Sequence, residues 1–205
     1  MRIEYAVVGH HARRQDANNL ARSLGAVLAM DDGGTGSLRN HDLAWMMAYN
    51  PDADWIVVLE DDAILLDGFE SHVQEALQYV PRDGAVSFYT GTGQPFRYPV
   101  SAAVKKALRR GASWLRANSL YWGPAVALPV HHVQPMLRFV KDIDRPYDQR
   151  LGLYLLANRY PCFYTMPSLV DHQDGESLIQ ASDRVRRAHV FKQPSGWNKK
   201  VVCIV

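Results

Sequence analysis

The sequence predicts an α/β fold, in which one domain holds a mostly parallel central sheet flanked by helices. Three observations predict it. Strand-like and helix-like segments alternate through the first half of the chain, as expected when helices pack across a sheet. Residues 55–59 are apolar at every position, which is typical of a central strand covered on both faces. The chain has 205 residues, 47% of them hydrophobic, and this is enough for one sizeable core.

The first half contains clear helix ends. A predicted helix over residues 11–24 ends at Gly25, since glycine suits the left-handed residue that closes a helix. The next helix, 38–49, ends before Pro51, because a residue that precedes proline avoids the helical conformation. The glycine-rich stretch 31–37 is a predicted loop. The predicted strands are 5–8, 26–30, 55–59 and 85–89, with a third helix at 69–79.

The pattern is weaker in the second half. The predicted elements after a loop at 91–99 are helices at 101–110, 131–140 and 147–158 and strands at 125–128 and 162–165. The basic segment 184–200 has little apolar periodicity, and we expect it to be loosely ordered unless it binds a partner. The predicted organisation is a domain over residues 1–180 and a basic C-terminal tail of the same domain over residues 181–205.

Composition excludes several classes of protein. No segment approaches the run of about 18 apolar residues that a membrane-spanning helix needs. The first residues lack the long apolar core of a signal peptide. The two cysteines are too few for a disulfide framework and lack the spacing of a metal site. We therefore expect a soluble protein in the cytoplasm of a bacterial or phage-infected cell.

Three adjacent carboxylates follow the apolar strand 55–59, namely Glu60, Asp61 and Asp62. Like charges placed so close together raise one another's pKa and oppose folding unless something compensates them. A divalent cation such as Mg²⁺ or Mn²⁺ does so, through carboxylate ligands and the phosphates of a substrate. Residues two apart in an extended chain point the same way, so Glu60 and Asp62 are predicted to share the metal while Asp61 faces elsewhere.

The order of these motifs resembles the glycosyltransferases with a GT-A fold, particularly family 25, which includes lipopolysaccharide and collagen galactosyltransferases. Three segments carry the likeness in the first half, 8–14 (VGHHARR), 36–45 (GSLRNHDLAW) and 57–62 (VVLEDD). Three more follow in order at 119–128, 146–148 and 167–173. The sequence departs from the family at Asn40, where serine is common, and the chain is short for the family.

The resemblance implies a set of site residues. It implies metal ligands at Glu60, Asp62 and His172, and catalytic residues at Asp148, the candidate base, and Asp61. It also implies a binding surface for a nucleotide-sugar donor, with UDP-sugar and Mn²⁺ or Mg²⁺ as the expected donor and cofactor, and an inverting hexosyl transfer. The implied donor-binding residues are Val8, Gly9, His10, Arg13, Asp31, Asp32, His41, Tyr121, Trp122 and Gly123.

Each assignment has a structural alternative that the sequence leaves open. The acidic triplet is also consistent with a solvated turn, and Asp148 with a cap at the start of its helix. Arg13 and His41 are equally compatible with exposed helix surfaces. His172 is compatible with an ordinary structural histidine, and the aromatic pair 121–122 with the core.

Basic residues crowd two regions of the chain, where they either form solvated helix faces or attract a polyanion such as nucleic acid, lipopolysaccharide or an anionic membrane. The first cluster is Lys105, Lys106, Arg109, Arg110 and Arg116, and the second is Arg184, Arg186, Arg187, Lys192, Lys199 and Lys200. Some phage enzymes of this general fold glycosylate hydroxymethylated DNA bases. The predicted acceptor is therefore a glycan, a lipopolysaccharide or such a base, with DNA contacted through Lys105, Lys106, Arg109 and Arg110.

Two other functions compete with this prediction. A nucleotidyltransferase of related fold also places carboxylates at a strand end, but the sequence lacks the glycine- and lysine-rich triphosphate loop expected of that class. A non-catalytic nucleic-acid-binding module would account for the basic clusters, but no zinc-finger or aromatic RNA-binding motif is present. The glycosyltransferase prediction accounts for more of the ordered motifs.

Overall fold

A computed structural model describes residues 1–93, 96–173 and 187–204. The strands of this part of the chain are β1 (Ile3–His10), β2 (Val27–Asp31), β3 (Trp55–Glu60), β4 (Ala63–Leu65), β5 (Ala85–Ser87), β6 (Trp114–Ala117), β7 (Ala125–Pro129), β8 (Cys162–Thr165), β9 (Val170–His172) and β10 (Val201–Cys203). The helices are α1 (Arg14–Ser23), preceded by a 3-10 turn (His11–Arg13), α2 (Ser37–Met47), α3 (Phe69–Ala76), α4 (Arg97–Arg110), α5 (Val130–Val140) and α6 (Tyr147–Asn158).

The predicted α/β class is confirmed. In the described chain, eight strands form one sheet in the order β10-β6-β8-β5-β7-β3-β1-β2. From the pairings, β1, β2, β3, β5 and β8 run in one direction and β6, β7 and β10 in the other. The short strands β4 and β9 pair separately and antiparallel. Parallel strands are therefore the majority, as the sequence predicts.

Strand β3 is the centre of the fold. Its side chains alternate between two apolar clusters, with Ile56 and Val58 packed beside Trp45 of α2 on one face. Val57 and Leu59 pack on the other face, in the cluster that includes residues of α3. All five residues of 55–59 are buried, so both faces of this strand are covered. Burial on both faces therefore explains why the run is apolar at every position, as predicted.

The end of the chain differs from its prediction. The described part, 187–204, is not loosely ordered, because Trp197 packs on Trp114 with ring centroids 5.4 Å apart and β10 pairs with β6 at the sheet edge. The Trp114 indole N–H donates to the carbonyl of Asn198 over 2.9 Å. The predicted boundary at 180/181 and the cluster members Arg184 and Arg186 lie outside the described residues.

Smaller differences concern the helices. The predicted helix 11–24 begins as a 3-10 turn, and α4 begins four residues before its prediction, at Arg97. Pro99 lies in the first turn of α4, where a missing backbone N–H costs no helical hydrogen bond. No helix in the described part of the chain has the length and apolar character to span a membrane.

Candidate active site

The acidic triplet lies at the point where the strand order of the sheet reverses. From β1 the chain passes through α1 to β2 on one side, and then through α2 to β3 on the other side of β1. Ligands of open α/β sheets bind at such a point, outside the carboxyl ends of the strands. Here β1 ends at His10 and β3 ends at Glu60, which pairs in register with Val8.

The pairing of β4 with β9 carries a histidine to the acidic triplet. Ala63 lies opposite His172 in this pair, so the histidine is brought beside Asp62. The Nε2 atom of His172 lies 3.3 Å from Oδ2 of Asp62. Its Nδ1 donates to the carbonyl oxygen of Gln173 over 2.9 Å, which leaves Nε2 directed at the carboxylate. A cation between Nε2 and the carboxylate oxygen would bind to both.

The residues Glu60, Asp62 and His172 fit a divalent cation. Each offers one ligand atom, and these three atoms lie within 4.8 Å of one another. The second carboxylate oxygen of Asp62, Oδ1, is buried and has no hydrogen-bond partner among the described residues. Burial, and then the charge of Glu60, raise the pKa of Asp62. A buried carboxylate with one oxygen unpartnered is a suitable ligand, since a cation would satisfy the oxygen and offset the charge.

Asp61 turns away from this group, although β3 ends at Glu60 and residues 61–62 form a turn rather than a continuation of the strand. Its Oδ2 accepts a hydrogen bond of 2.8 Å from the backbone N–H of His10, and its Oδ1 lies 3.0 Å from Nη1 of Arg13. The same Nη1 lies 2.7 Å from Oδ2 of Asp62. Asp61 therefore ties the end of β3 to the end of β1, and its catalytic role stays a prediction.

His41 and Tyr147 form the wall beside Glu60. The His41 ring stacks on Tyr147 with centroids 4.0 Å apart, and its Nδ1 donates to the carbonyl of Ser37 over 2.8 Å. Its Nε2 is buried and lies 3.5 Å from Oε1 of Glu60. His41 is thus a buried residue of the site rather than an exposed residue of a helix surface.

Glycine is required at residue 123 because the backbone there lies close to Tyr147 and Glu60. A Cβ atom at residue 123 would lie 2.9 Å from the Tyr147 ring and 3.4 Å from Oε1 of Glu60. The missing side chain therefore lets the segment between β6 and β7 approach the site.

Gly123→Ala is expected to lower the free energy of unfolding by about 1–3 kcal/mol, the usual effect of overpacking a tight interior. Urea denaturation measures the change. The control is Gly34→Ala, where an added Cβ meets no atom within 4 Å and φ is not positive. Equal stability of the two variants would contradict a close approach at residue 123.

Asp148 lies at the start of α6 and is half-buried. Burial raises the pKa of its carboxyl group. The hydrogen bond from the backbone N–H of Gln149 lowers this pKa, and the negative charge of Glu60 raises it. The influence of Glu60 and His41 on Asp148 indicates that it faces the same site. Its Oδ1 also accepts a hydrogen bond of 2.8 Å from the N–H of Gln149, so the helix-cap interpretation keeps support as well.

The residues predicted to bind the nucleoside lie at the ends of β1 and β2. Asp31 accepts hydrogen bonds from the N–H groups of Gly33 and Thr35, at 2.9 and 3.1 Å, and the Gly33 N–H is the main cause of its lowered pKa. Asp32 is exposed and pairs with Arg14. A Cβ at Gly9 would lie 2.8 Å from Cβ of Ala17, so this glycine serves the packing of α1 on β1.

Aromatic side chains line the other side of the site. Tyr121 stacks on Phe96 with centroids 4.0 Å apart, and Trp122 meets Tyr89 edge-on at 6.2 Å. Tyr89 also lies 6.4 Å from the ring of His172. The sequence analysis missed Tyr89 and Phe96. Tyr89 follows β5 by two residues, so the rule that sites gather at the carboxyl ends of strands would have found it.

One exposed face of α4 forms what we call the basic surface. It consists of Lys105, Lys106, Arg109 and Arg110, all exposed, together with Lys200, whose Nζ donates to the carbonyl of Arg110 over 3.3 Å. No carboxylate of the described residues lies within ion-pair distance of these five side chains. The sequence from 84 to 141 contains no aspartate or glutamate. Arg116 is exposed, but it alternates with Leu115, which packs with the α4 side of the sheet, and so faces away from this surface.

Comparison with known proteins finds similarity of structure alone. The sequence matches no family model and no curated protein. β1,4-Galactosyltransferase 7 from Drosophila, a mutant in complex with manganese, UDP-Gal and xylobiose, matches with a TM-score of 0.54 and 8% identity, over 98% of this chain and 82% of that one. This likeness extends to the fold, which is the GT-A-like arrangement that the sequence predicts.

Two further structures match less well. A protein from STIV has a TM-score of 0.46 and 14% identity, over 94% of this chain and 98% of that one. A glycosyltransferase involved in the glycosylation of the major capsid of PBCV-1 has a TM-score of 0.44 and 10% identity, over 85% and 94%. None of these similarities points to glycosyltransferase family 25 in particular.

Proposed function

We propose that this chain is a metal-dependent glycosyltransferase, which transfers a sugar from a nucleoside-diphosphate donor to an acceptor hydroxyl. The observation that carries the proposal is the group Glu60, Asp62 and His172, with its unpartnered buried oxygen on Asp62. It lies at the strand ends where α/β sheets bind nucleotides. The similarity of fold to a galactosyltransferase that holds manganese and UDP-Gal adds support.

The donor is proposed to be a UDP-sugar. A cation at the acidic group would neutralise the diphosphate leaving group, which is the chemistry that Mg²⁺ and Mn²⁺ supply. The segment from Val8 to Arg13 and the pair Asp31 and Asp32 lie at the adjoining ends of β1 and β2, where the nucleoside would lie. Asp61 holds these two parts of the site together through His10, so we assign it a positioning role.

The acceptor is proposed to enter along the aromatic side, past Trp122, where a sugar or base can stack. Asp148 is the proposed base. Burial raises the pKa of its carboxyl group, which makes it a stronger base than an exposed aspartate. The acceptor oxygen attacks the anomeric carbon, the bond to the diphosphate oxygen breaks, and Asp148 takes the acceptor proton. Such a single displacement inverts the anomeric carbon.

Release of UDP tests the proposed function without a known acceptor. The protein is incubated with a panel of UDP-sugars and Mn²⁺, and free UDP is measured, since water can replace the acceptor at a low rate. We expect release from at least one donor, and its loss when EDTA removes the cation. No release from any nucleotide sugar, with Mn²⁺ or Mg²⁺, would contradict the proposal.

The basic surface favours a polyanionic acceptor such as DNA. This surface lies on the second half of α4, the helix that starts directly after Phe96 of the aromatic side. Its positive charge, with which no carboxylate of the described residues pairs, is the observation that favours this acceptor over a neutral glycan.

Replacing Lys105, Lys106, Arg109 and Arg110 with alanine is expected to weaken DNA binding and flatten its salt dependence. Each lost phosphate contact lowers the slope of log affinity against log salt by about 0.9, so four lost contacts lower it by about 3–4. Fluorescence anisotropy across a salt series measures the slope. The control removes Arg138 and Lys141, two exposed basic residues at the end of α5. An unchanged slope in the fourfold variant would exclude this surface from DNA binding.

A further inference from the structure

Arg13 occupies part of the proposed metal site. It ends the 3-10 turn that follows β1, and only 20% of its side chain is exposed. Its Nη1 lies 3.0 Å from Oδ1 of Asp61 and 2.7 Å from Oδ2 of Asp62. The sequence allowed Arg13 to be a solvated helix residue, but the structure makes it a counter-ion of two buried carboxylates.

The guanidinium and a divalent cation would lie at one carboxylate, where Arg13 contacts Oδ2 and the unpartnered Oδ1 is open to the cation. The oxygen of Asp62 that Arg13 contacts is the same Oδ2 that lies 3.3 Å from Nε2 of His172. A cation held by Asp62 and His172 would therefore lie close to the guanidinium, and like charges at such a distance repel. Arg13 favours the cation-free form of the site, and a cation that binds alone must overcome that preference.

A diphosphate would give Arg13 a new partner. Guanidinium groups bind phosphate through parallel hydrogen bonds, and the leaving group of a nucleotide sugar lies against the cation. Asp61 would keep Arg13 in place during the change, because its other oxygen is fixed by the backbone N–H of His10. In this exchange the side chain turns from Asp62 toward the phosphates.

We propose that Arg13 is an exchangeable counter-ion, which pairs with Asp62 in the empty site and moves to the donor diphosphate when cation and donor bind. The inference rests on the proposed function and specifies how its donor site is controlled. It makes the binding of cation and donor cooperative. The cation weakens the contact of Arg13 with Asp62 and so frees Arg13 for the diphosphate, and the diphosphate draws Arg13 away from the cation. By linkage, the factor by which donor tightens the cation equals the factor by which cation tightens the donor.

The test measures Mn²⁺ binding by electron paramagnetic resonance, with and without UDP, for the wild type and Arg13→Gln. Without UDP, the variant is expected to bind Mn²⁺ about tenfold more tightly, within the usual 5–150-fold range of couplings between sites. In the wild type, UDP should tighten Mn²⁺ binding by a similar factor. In the variant this enhancement should be smaller, because direct contact between the cation and the diphosphate remains but Arg13 no longer moves from Asp62 to the phosphates.

The matched control is Arg82→Gln. Arg82 also contacts an aspartate over 2.7 Å, but its partner, Asp54, precedes β3 at the opposite end of that strand. This variant should behave as the wild type. If circular dichroism shows that Arg13→Gln does not fold, Arg13→Lys replaces it, and the single ammonium should leave Mn²⁺ binding near the wild-type value while weakening the UDP enhancement.

The outcomes separate the two proposals. If the Arg13→Gln variant binds Mn²⁺ as weakly as the wild type, or more weakly, Arg13 is not an exchangeable counter-ion. The glycosyltransferase proposal would then still stand. An Arg13→Lys variant that keeps the full UDP enhancement would overturn the exchange as well. Wild-type protein that binds neither Mn²⁺ nor UDP would overturn both.

Discussion

Asp62→Asn is expected to abolish cation-dependent donor binding and to lower the rate of UDP release by about 10³-fold, the effect of losing several kcal/mol of charge stabilisation. The substitution keeps the shape of the side chain and removes the negative charge of Asp62, which forms the candidate metal site with Glu60 and His172. Mn²⁺ binding by electron paramagnetic resonance and UDP release by a coupled assay measure the two effects.

The stability of Asp62→Asn separates a ligand from a structural residue. Burial and the charge of Glu60 raise the pKa of Asp62, so the fold disfavours the ionised carboxylate. The folded state therefore holds its proton to higher pH than the unfolded state does, and the neutral asparagine relieves this penalty at neutral pH. The metal-free variant should unfold at a temperature no lower than that of the wild type. The control is Asp52→Asn, an exposed aspartate before β3.

Two results would contradict this assignment. Unchanged Mn²⁺ binding in Asp62→Asn would remove Asp62 from the metal site. A markedly lower unfolding temperature without metal would indicate that the contact with Arg13 is the main role of the carboxylate.

Asp148→Asn is expected to lower kcat by about 10²–10⁴-fold, the usual contribution of a general base. Binding of Mn²⁺ and UDP should stay unchanged, because Asp148 is predicted to act on the acceptor and not on the donor. Steady-state transfer to the acceptor gives kcat, and calorimetry gives the donor affinity.

The control for Asp148 is Asp144→Asn, an exposed aspartate of the segment before α6. If Asp148→Asn lowers the unfolding temperature and leaves kcat unchanged, the carboxylate only caps the helix through Gln149. An equal loss of UDP binding and kcat would also contradict its role as base.

The centre of the fold could be predicted because its causes are local. A strand buried on both faces must be apolar throughout, and residues 55–59 show this directly in the sequence. The placement of the carboxylates after this strand follows from it. Glu60 and Asp62 lie together and Asp61 points to β1, although a turn at residues 61–62, and not a continued strand, sets their directions.

The partners of these carboxylates could not be predicted in the same way. His172 reaches Asp62 through the pairing of β4 and β9, two strands of three residues each, which are too short to give a clear periodic pattern. The family resemblance suggested His172 as a ligand, but no local pattern did. Arg13 contacts a carboxylate 49 positions away, and such pairing depends on the packed fold.

The tail shows the same limit of local patterns. Residues 187–200 are polar and basic with few apolar residues, and this composition favours a loosely ordered segment. Trp197 packs on Trp114, Ala188 and Phe191 form bridges with Gly91 and Ser168, and the strand that follows adds to the sheet edge. These contacts order the segment in spite of its composition, but their partners are distant in the sequence.

The most direct test of the donor site is calorimetric titration of the wild-type protein with UDP, in the presence and absence of Mn²⁺. We expect UDP to bind in the presence of Mn²⁺ and to bind at least tenfold more weakly without it, in line with the usual strength of coupling between two sites. Other nucleoside diphosphates, titrated in parallel, show whether uridine is the preferred base. Absence of binding by every nucleotide, with and without the cation, would contradict the assignment of Glu60, Asp62 and His172 to a glycosyltransferase.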